Sequence, residues 1–171
     1  MEPITMEPTN ESQFIPLVAG LNATGEPVFE QIEVSAVEGV KDEYRLLTAP
    51  AFVRGLARGD RIRFPARTEL GAELMQRSGN LTVRVFRKHN IDAAEQMLTP
   101  EFELLDGMLD QHSAGLLVYS IHVSIGFQLI ELLLDKAVAQ FTGLVWYYGN
   151  VYDPRDGTTP LNWWQEFAHN I

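Results

Sequence analysis

The apolar residues of this chain change their period once, and the change comes at Asn90. Before it they recur at alternate positions in short runs separated by turn residues. After it, helical spacing appears between further alternating runs. A period of two buries one face of an extended segment, whereas a period near 3.6 buries one stripe of a helix. The switch predicts an α+β chain whose first half is made of strands alone.

In that half, Phe14 to Leu21 reads as a strand closed by the turn Asn22-Ala23-Thr24-Gly25. Val28 to Val37 alternates next, with Val28, Glu30, Ile32, Val34 and Ala36 in one phase. Glu30 interrupts that apolar phase, which places it at the strand's edge. Tyr44 to Leu47 begins a third strand, and Pro50 ends it by removing a ladder donor. Gly55 to Asp60 is a turn segment; Arg61 to Phe64, Leu70 to Gln76 and Leu81 to Arg87 follow as strands. Five or six short strands joined by turns predict a small antiparallel β-barrel or half-barrel over residues 14–88, after a flexible tail at 1–13.

The second half opens with Asn90 as a helix N-cap and Asp92 in the first turn. Ile91, Ala94, Leu98, Phe102 and Leu105 form one stripe, and Pro100 is expected to kink or restart this helix with Thr99 as a new cap. Met108 to His112 and Leu116 to Val123 form a hairpin. Ser124 is the expected cap of a second helix through Phe141, with Ile125, Leu129, Leu132 and Leu133 facing the core; Leu144 to Tyr152 is a last strand. Counted from Leu81 the order is β-α-β-β-α-β, the ferredoxin-like split βαβ pattern. This places a ferredoxin-like unit at 81–152, sharing strand 81–87 with the barrel, and a C-terminal tail with a short helix at 153–171.

Three stretches, "FIPLVAGLNATGEPVFEQIEVSAVEG", "YRLLTAPAFVRGLARGDRIRF" and "RSGNLTVRVFR", together resemble a bacterial family, domain of unknown function 4265. The resemblance covers roughly residues 14 to 152 and is sharpest around the proline, the aromatic, the "V-x-G-L" and the "G-D" of the second stretch. It implies an uncharacterised intracellular domain and supplies no catalytic residues.

Charge is blocked rather than mixed. The chain of 171 residues has a formal net charge of -10, yet residues 41–88 hold eleven of its thirteen Lys and Arg. The first forty residues carry seven acids and no Lys or Arg, and from His89 onward eleven acids face only Lys136 and Arg155. So acidic a total argues against nucleic acid as a partner. Arg54, Arg58, Arg61 and Arg63 surround a glycine turn, but Gly55-x-x-x-Gly59-Asp60 matches neither the P-loop nor the dinucleotide fingerprint. Arg61 and Arg63 alternate with Ile62 and Phe64, so these arginines are read as a solvated sheet face paired with the acidic first block.

Other chemistry finds little footing. There is no cysteine, and His89, His112, His122 and His169 lack metal-ligand spacing, so no metal or cofactor is expected. His122, between Ile121 and Val123, is read as a hydrogen-bonded edge histidine. Ser113 and Ser120 have no glycine elbow. No secretory signal or membrane-length apolar run is present, which gives the expectation of a cytoplasmic protein away from membranes. Glu101, Glu103, Asp106 and Asp110 gather near the first helix's end. Asp153, Asp156, Trp163 and Trp164 mark an aromatic, acidic tail whose tryptophans either close the core or form a recognition surface.

These eight residues are the candidate partner interface. The expected function is non-enzymatic: an immunity, antitoxin-like protein that blocks a cognate protein toxin, such as a basic nuclease, through its acidic surface. The competing expectation is a ferredoxin-like module that senses a small molecule.

Overall fold

The computed structural model describes residues 11–170; the expected flexible tail at 1–13 falls almost wholly outside them. Strands β1 (Gln13–Leu21), β2 (Pro27–Ala36), β3 (Glu43–Leu46), β4 (Arg61–Arg63) and β5 (Glu73–Gln76) form an antiparallel sheet in sequence order. Asn22 turns the first hairpin: its side-chain oxygen accepts the N–H groups of Thr24 and Glu26 at 3.0 and 2.9 Å. Ile15 pairs with Ile32, and both join Leu17, Val34, Leu46 and Ile62 in a buried cluster. Each such side chain stabilises the fold by about 1.5–3 kcal/mol on full burial.

The sheet stays open. Among the described residues β1 and β5 share no ladder, and one bond, from Val18 N–H to Leu70 O at 3.0 Å, ties β1 to the segment ahead of β5. Of the two expectations, barrel or half-barrel, the closed barrel is not found among the described residues; the first half is an open five-stranded antiparallel sheet. β4 and β5 span only 3 and 4 residues, too short to carry the staggered register that closure requires.

The second sheet contains β6 (Asn80–Phe86), β7 (Met108–Ser113), β8 (Leu116–His122) and β9 (Val145–Tyr148), in the order β7-β8-β6-β9. With α1 (Ile91–Leu104) and α2 (Phe127–Gln140), the element order is the expected β-α-β-β-α-β. β8 runs antiparallel to both β6 and β7 and lies between them. Both edges of β6 are occupied, by β8 and β9, so its connection to the first half is made by side chains rather than by a shared ladder.

Both helices cover one face of this sheet. Leu81, Val83 and Val85 of β6 and Leu117, Tyr119 and Ile121 of β8 pack there against Ile91, Ala94, Leu98 and Phe102 of α1. The expected α1 stripe is therefore the buried one. The expected restart at Pro100 does not occur: α1 runs through the proline, and the Thr99 hydroxyl bonds the Tyr119 hydroxyl at 2.7 Å instead of capping. Burial of the stripe on both sides of Pro100, with Phe102 stacked on Tyr119 at 4.2 Å, offsets the one lost backbone bond. Asn90 occupies the N-cap in left-handed geometry (φ 55) and makes no side-chain cap.

α2 differs more. Ser124 lies in a 3-10 turn, Val123–Ile125, where its N–H donates to His122, and Gly126 (φ 96) precedes the helix. The buried residues are Ile130, Leu133, Leu134 and Ala137, whereas Leu129 and Leu132 are exposed. The sequence Phe127-Gln-Leu-Ile-Glu-Leu-Leu-Leu is apolar on nearly every side, so spacing alone permits more than one stripe. Packing on the sheet selects Ile130, Leu133, Leu134 and Ala137.

Candidate functional site

The other face of the second sheet is covered by a strap, residues 49–60, from the first half. Ala49 and Ala51 pack on Leu116 and Val118, the β8 residues that alternate with those facing the helices. Backbone polar groups in so buried a segment need partners, and side chains from both halves supply them.

Glu30 accepts the N–H groups of Ala51, Phe52 and Val53 at 2.7, 2.9 and 2.8 Å. Glu30 lies on β2 outside the β2–β3 ladder, which pairs Val34 to Ala36, and there it caps three consecutive backbone donors of the strap. From the sheet side, Arg84 donates to Pro50 O at 3.2 and 3.1 Å and also to Val53 O. Arg84 is only 1% exposed, and burial lowers its pKa from the ordinary guanidinium range. Gly149 lets the backbone pass over it, since a Cβ there would meet Arg84 Cζ and Thr82 Cγ2 at 3.0 Å.

The strap's ends are tied as firmly. Asp110 accepts Ala49 N–H at 2.7 Å, the Ser120 hydroxyl at 2.6 Å and Arg58 Nη1 at 2.9 Å. Gln111 donates to Ala49 O at 2.6 Å, and the Thr82 hydroxyl donates to Leu56 O at 2.9 Å. Asp60 accepts Ala57 N–H and Ser78 N–H, both at 2.9 Å. Desolvation nonetheless outweighs these bonds and raises the Asp60 pKa to about 6.

The eight sequence-predicted interface residues fall into different settings. Glu101, Glu103 and Asp106 are exposed at the C-terminal end of α1. Asp110 is not part of that surface: its side chain is 1% exposed and committed to the strap. Asp153 is paired with Arg155 at 2.7 Å, and Asp156 closes its own turn through Thr158 and Thr159, bonds that lower its pKa to about 2. Trp163 is buried and its indole N–H donates to Asn150 O at 2.8 Å, so it closes the core rather than presenting a surface. Trp164 is half-buried and packs edge-on against Phe127 at 5.1 Å.

Among the described residues the arginines do not pair with the acidic first block. Arg61 and Arg63 pair with Glu43, Arg63 also with Glu73, and Arg58 with Asp110 of the other half. Arg54 alone of the four has no hydrogen bond or ion pair among the described residues. It borders a cleft of about 360 Å³ with Tyr147, Tyr152 and Pro154. Among the described residues no group of three or more His, Asp or Glu side chains is placed to hold a metal ion, and no helix is long and apolar enough to cross a membrane.

Sequence reasoning passed over Glu30 and Arg84 as functional parts of the assembly. Glu30 left a signal, a carboxylate inside an apolar phase. Arg84 left none, because alternation assigns it correctly to the second face of β6 and cannot reveal that this face is covered.

A solved structure described as a hypothetical protein from Neisseria gonorrhoeae is similar to this chain, with a TM-score of 0.57 at 12% identity, covering 84% of this chain and 96% of that one. Likeness at that identity concerns the fold alone. No curated protein matches the sequence. The family described as "Domain of unknown function (DUF4265)" matches residues 30–144, which takes in Glu30, the strap, Arg84 and both helices, and the chain belongs to that family.

Proposed function

We propose that this protein works by binding another protein, as an immunity protein that neutralises a basic partner enzyme. One observation carries the reading. Glu101, Glu103 and Asp106 sit at the C-terminal end of α1, where the last turn has no basic residue and the helix dipole disfavours negative charge. None of the three has an ion-pair partner among the described residues. They flank Leu104, which is 79% exposed, on the same helical layer as exposed Leu129 and Leu132. A charge placement that works against its own helix, around an apolar centre, suits a partner that brings positive charge and an apolar anchor.

The experiment is co-expression with the product of the adjacent reading frame. That product, toxic alone, should lose its toxicity beside this chain, and association of the purified pair should slow as salt rises. Neighbouring products that neither bind this chain nor harm the cell would overturn the reading.

A second reading treats the β-α-β-β-α-β half as a ferredoxin-like, small-molecule-sensing module. It is favoured by the cleft at Arg54.

A further inference from the structure

We infer that the cleft at Arg54 is a binding site for a small aromatic monocarboxylate; the inference rests on the ligand-sensing reading and is independent of the surface on α1. The cleft forms where the strap meets the C-terminal loop. Gly55 N–H donates to Gly149 O at 2.9 Å, and a Cβ on Gly55 would lie 3.4 Å from Pro154 Cγ, so Arg54 is carried to the loop's wall.

Charge selects the ligand's head. Arg54 is an exposed guanidinium with no internal partner among the described residues. The neighbouring carboxylate of Asp153 is held by Arg155 through Nε at 3.1 and 3.2 Å and Nη2 at 2.7 Å, so it does not neutralise Arg54. One open guanidinium, with no lysine or second arginine lining the cleft, matches one planar carboxylate bound in a forked pair. A polyphosphate would need more positive charge than the lining offers.

Shape selects the body. Tyr147 and Tyr152 are more than two-fifths exposed and supply flat apolar surface, while the ring of Tyr148 turns to the other face of the sheet and packs on Phe127. Phe86 stacks on Tyr147 at 5.4 Å and fixes its ring from behind. The opposite wall is equally set: Gly157 N–H donates to Asp153 O at 2.8 Å, and Tyr152 bridges to Pro160. A volume of about 360 Å³ stands at the small end of ligand sites and suits one ring with its carboxylate.

The experiment is an NMR titration of the full, isotope-labelled chain with sodium benzoate, benzamide, cyclohexanecarboxylate and inorganic phosphate. Benzoate should shift the amides of Gly149, Tyr152 and Gly157 first. Benzamide, without the charge, and cyclohexanecarboxylate, without the flat ring, should each bind about tenfold more weakly or worse, a difference near 1.4 kcal/mol. Arg54→Gln should weaken benzoate by at least the same factor of about ten while leaving the melting temperature in place, because Arg54 makes no bond among the described residues. Benzoate binding that Arg54→Gln does not weaken, or shifts centred elsewhere, overturns the site. Phosphate binding in the cleft without benzoate overturns the aromatic carboxylate but leaves a ligand module standing. Silence from all four probes removes both.

Discussion

Glu30 and Arg84 hold opposite polar edges of the same strap without bonding each other: Glu30 takes the N–H groups of Ala51 to Val53, and Arg84 gives its own to Pro50 O and Val53 O. The peptide units between them are bonded at one edge to the oxygens of a half-buried anion and at the other to a buried cation. The two charges are therefore coupled through backbone dipoles. Removing either one strands its half of the strap.

Glu30→Gln should cost about 1.5–3 kcal/mol in urea unfolding, since the charge-assisted bonds are lost. Arg84→Met should cost about 1–3 kcal/mol for each strap carbonyl, Pro50 O and Val53 O, left buried without a donor. The double mutant should cost less than the sum, with a coupling of about 0.5–3 kcal/mol. Strict additivity would mean the strap does not transmit between them.

Asp60 gives the fold an unusual pH response. Its folded pKa of about 6 stands above the ordinary value of 3.8, so the unfolded chain loses this proton first. Between those two values the native state holds more protons than the unfolded state, and stability falls as pH rises. The full cost, on the order of 3 kcal/mol, is present above about pH 6. Unfolding curves of wild type and Asp60→Asn should converge as pH rises through that window if the wild type starts higher. A pH-independent difference would show that Asp60 does not titrate there.

Asp110 joins the halves more strongly than Arg58 does. Arg58→Ala removes one partly exposed pair and should cost about 1 kcal/mol or less. Asp110→Ala also leaves Ala49 N–H and the Ser120 hydroxyl without their acceptor, at about 1–3 kcal/mol for each group left unsatisfied. Limited proteolysis checks the consequence: Asp110→Ala should become cleavable within 49–60, whereas Arg58→Ala should resist like the parent.

How much of this was legible in the sequence follows from what alternation can encode. Ile15, Ile32 and Val34, and the Ile91-Ala94-Leu98-Phe102 stripe, are buried as their spacing requires, because period reports which side of an element faces a core. It does not report what covers the second side. Thr82, Arg84 and Ser120 look like solvent-facing positions of a half-exposed sheet, and it is the paths of the strap and of the segment at Gly149 that bury them. The same gap explains Asp110, which belongs by sequence to an acidic group and by structure to the strap. α2 failed for a different reason: its leucines outnumber the positions one stripe needs.

Trp163 and Trp164 should separate on substitution. Trp163→Ala removes a buried ring and its bond to Asn150 O, and should cost roughly 3–5 kcal/mol, seen as a lower melting temperature of the free protein. Trp164→Ala removes a half-buried ring from edge-on contacts with Phe127 and Trp163 and should cost clearly less. Equal losses would mean that both rings close the core.

The α1 carboxylates should show a conflict between stability and binding. Near a helix C-terminus each negative charge is opposed by the dipole, by about 0.3–1 kcal/mol. Glu101→Gln with Glu103→Gln should therefore leave the free protein as stable as the parent or slightly more so. The same change lowers the negative field at the approach face, so association with a basic partner should slow and its salt dependence should weaken. Leu104→Ala should act on the other rate: an apolar anchor that docks after encounter is read in dissociation, with little effect on association. Stability and both rate constants measured on the same purified variants decide the matter. If neutralising the pair destabilises the free fold, the carboxylates have a structural role. If it leaves association untouched, the partner approaches elsewhere, and the surface around Leu104 ceases to be the interface.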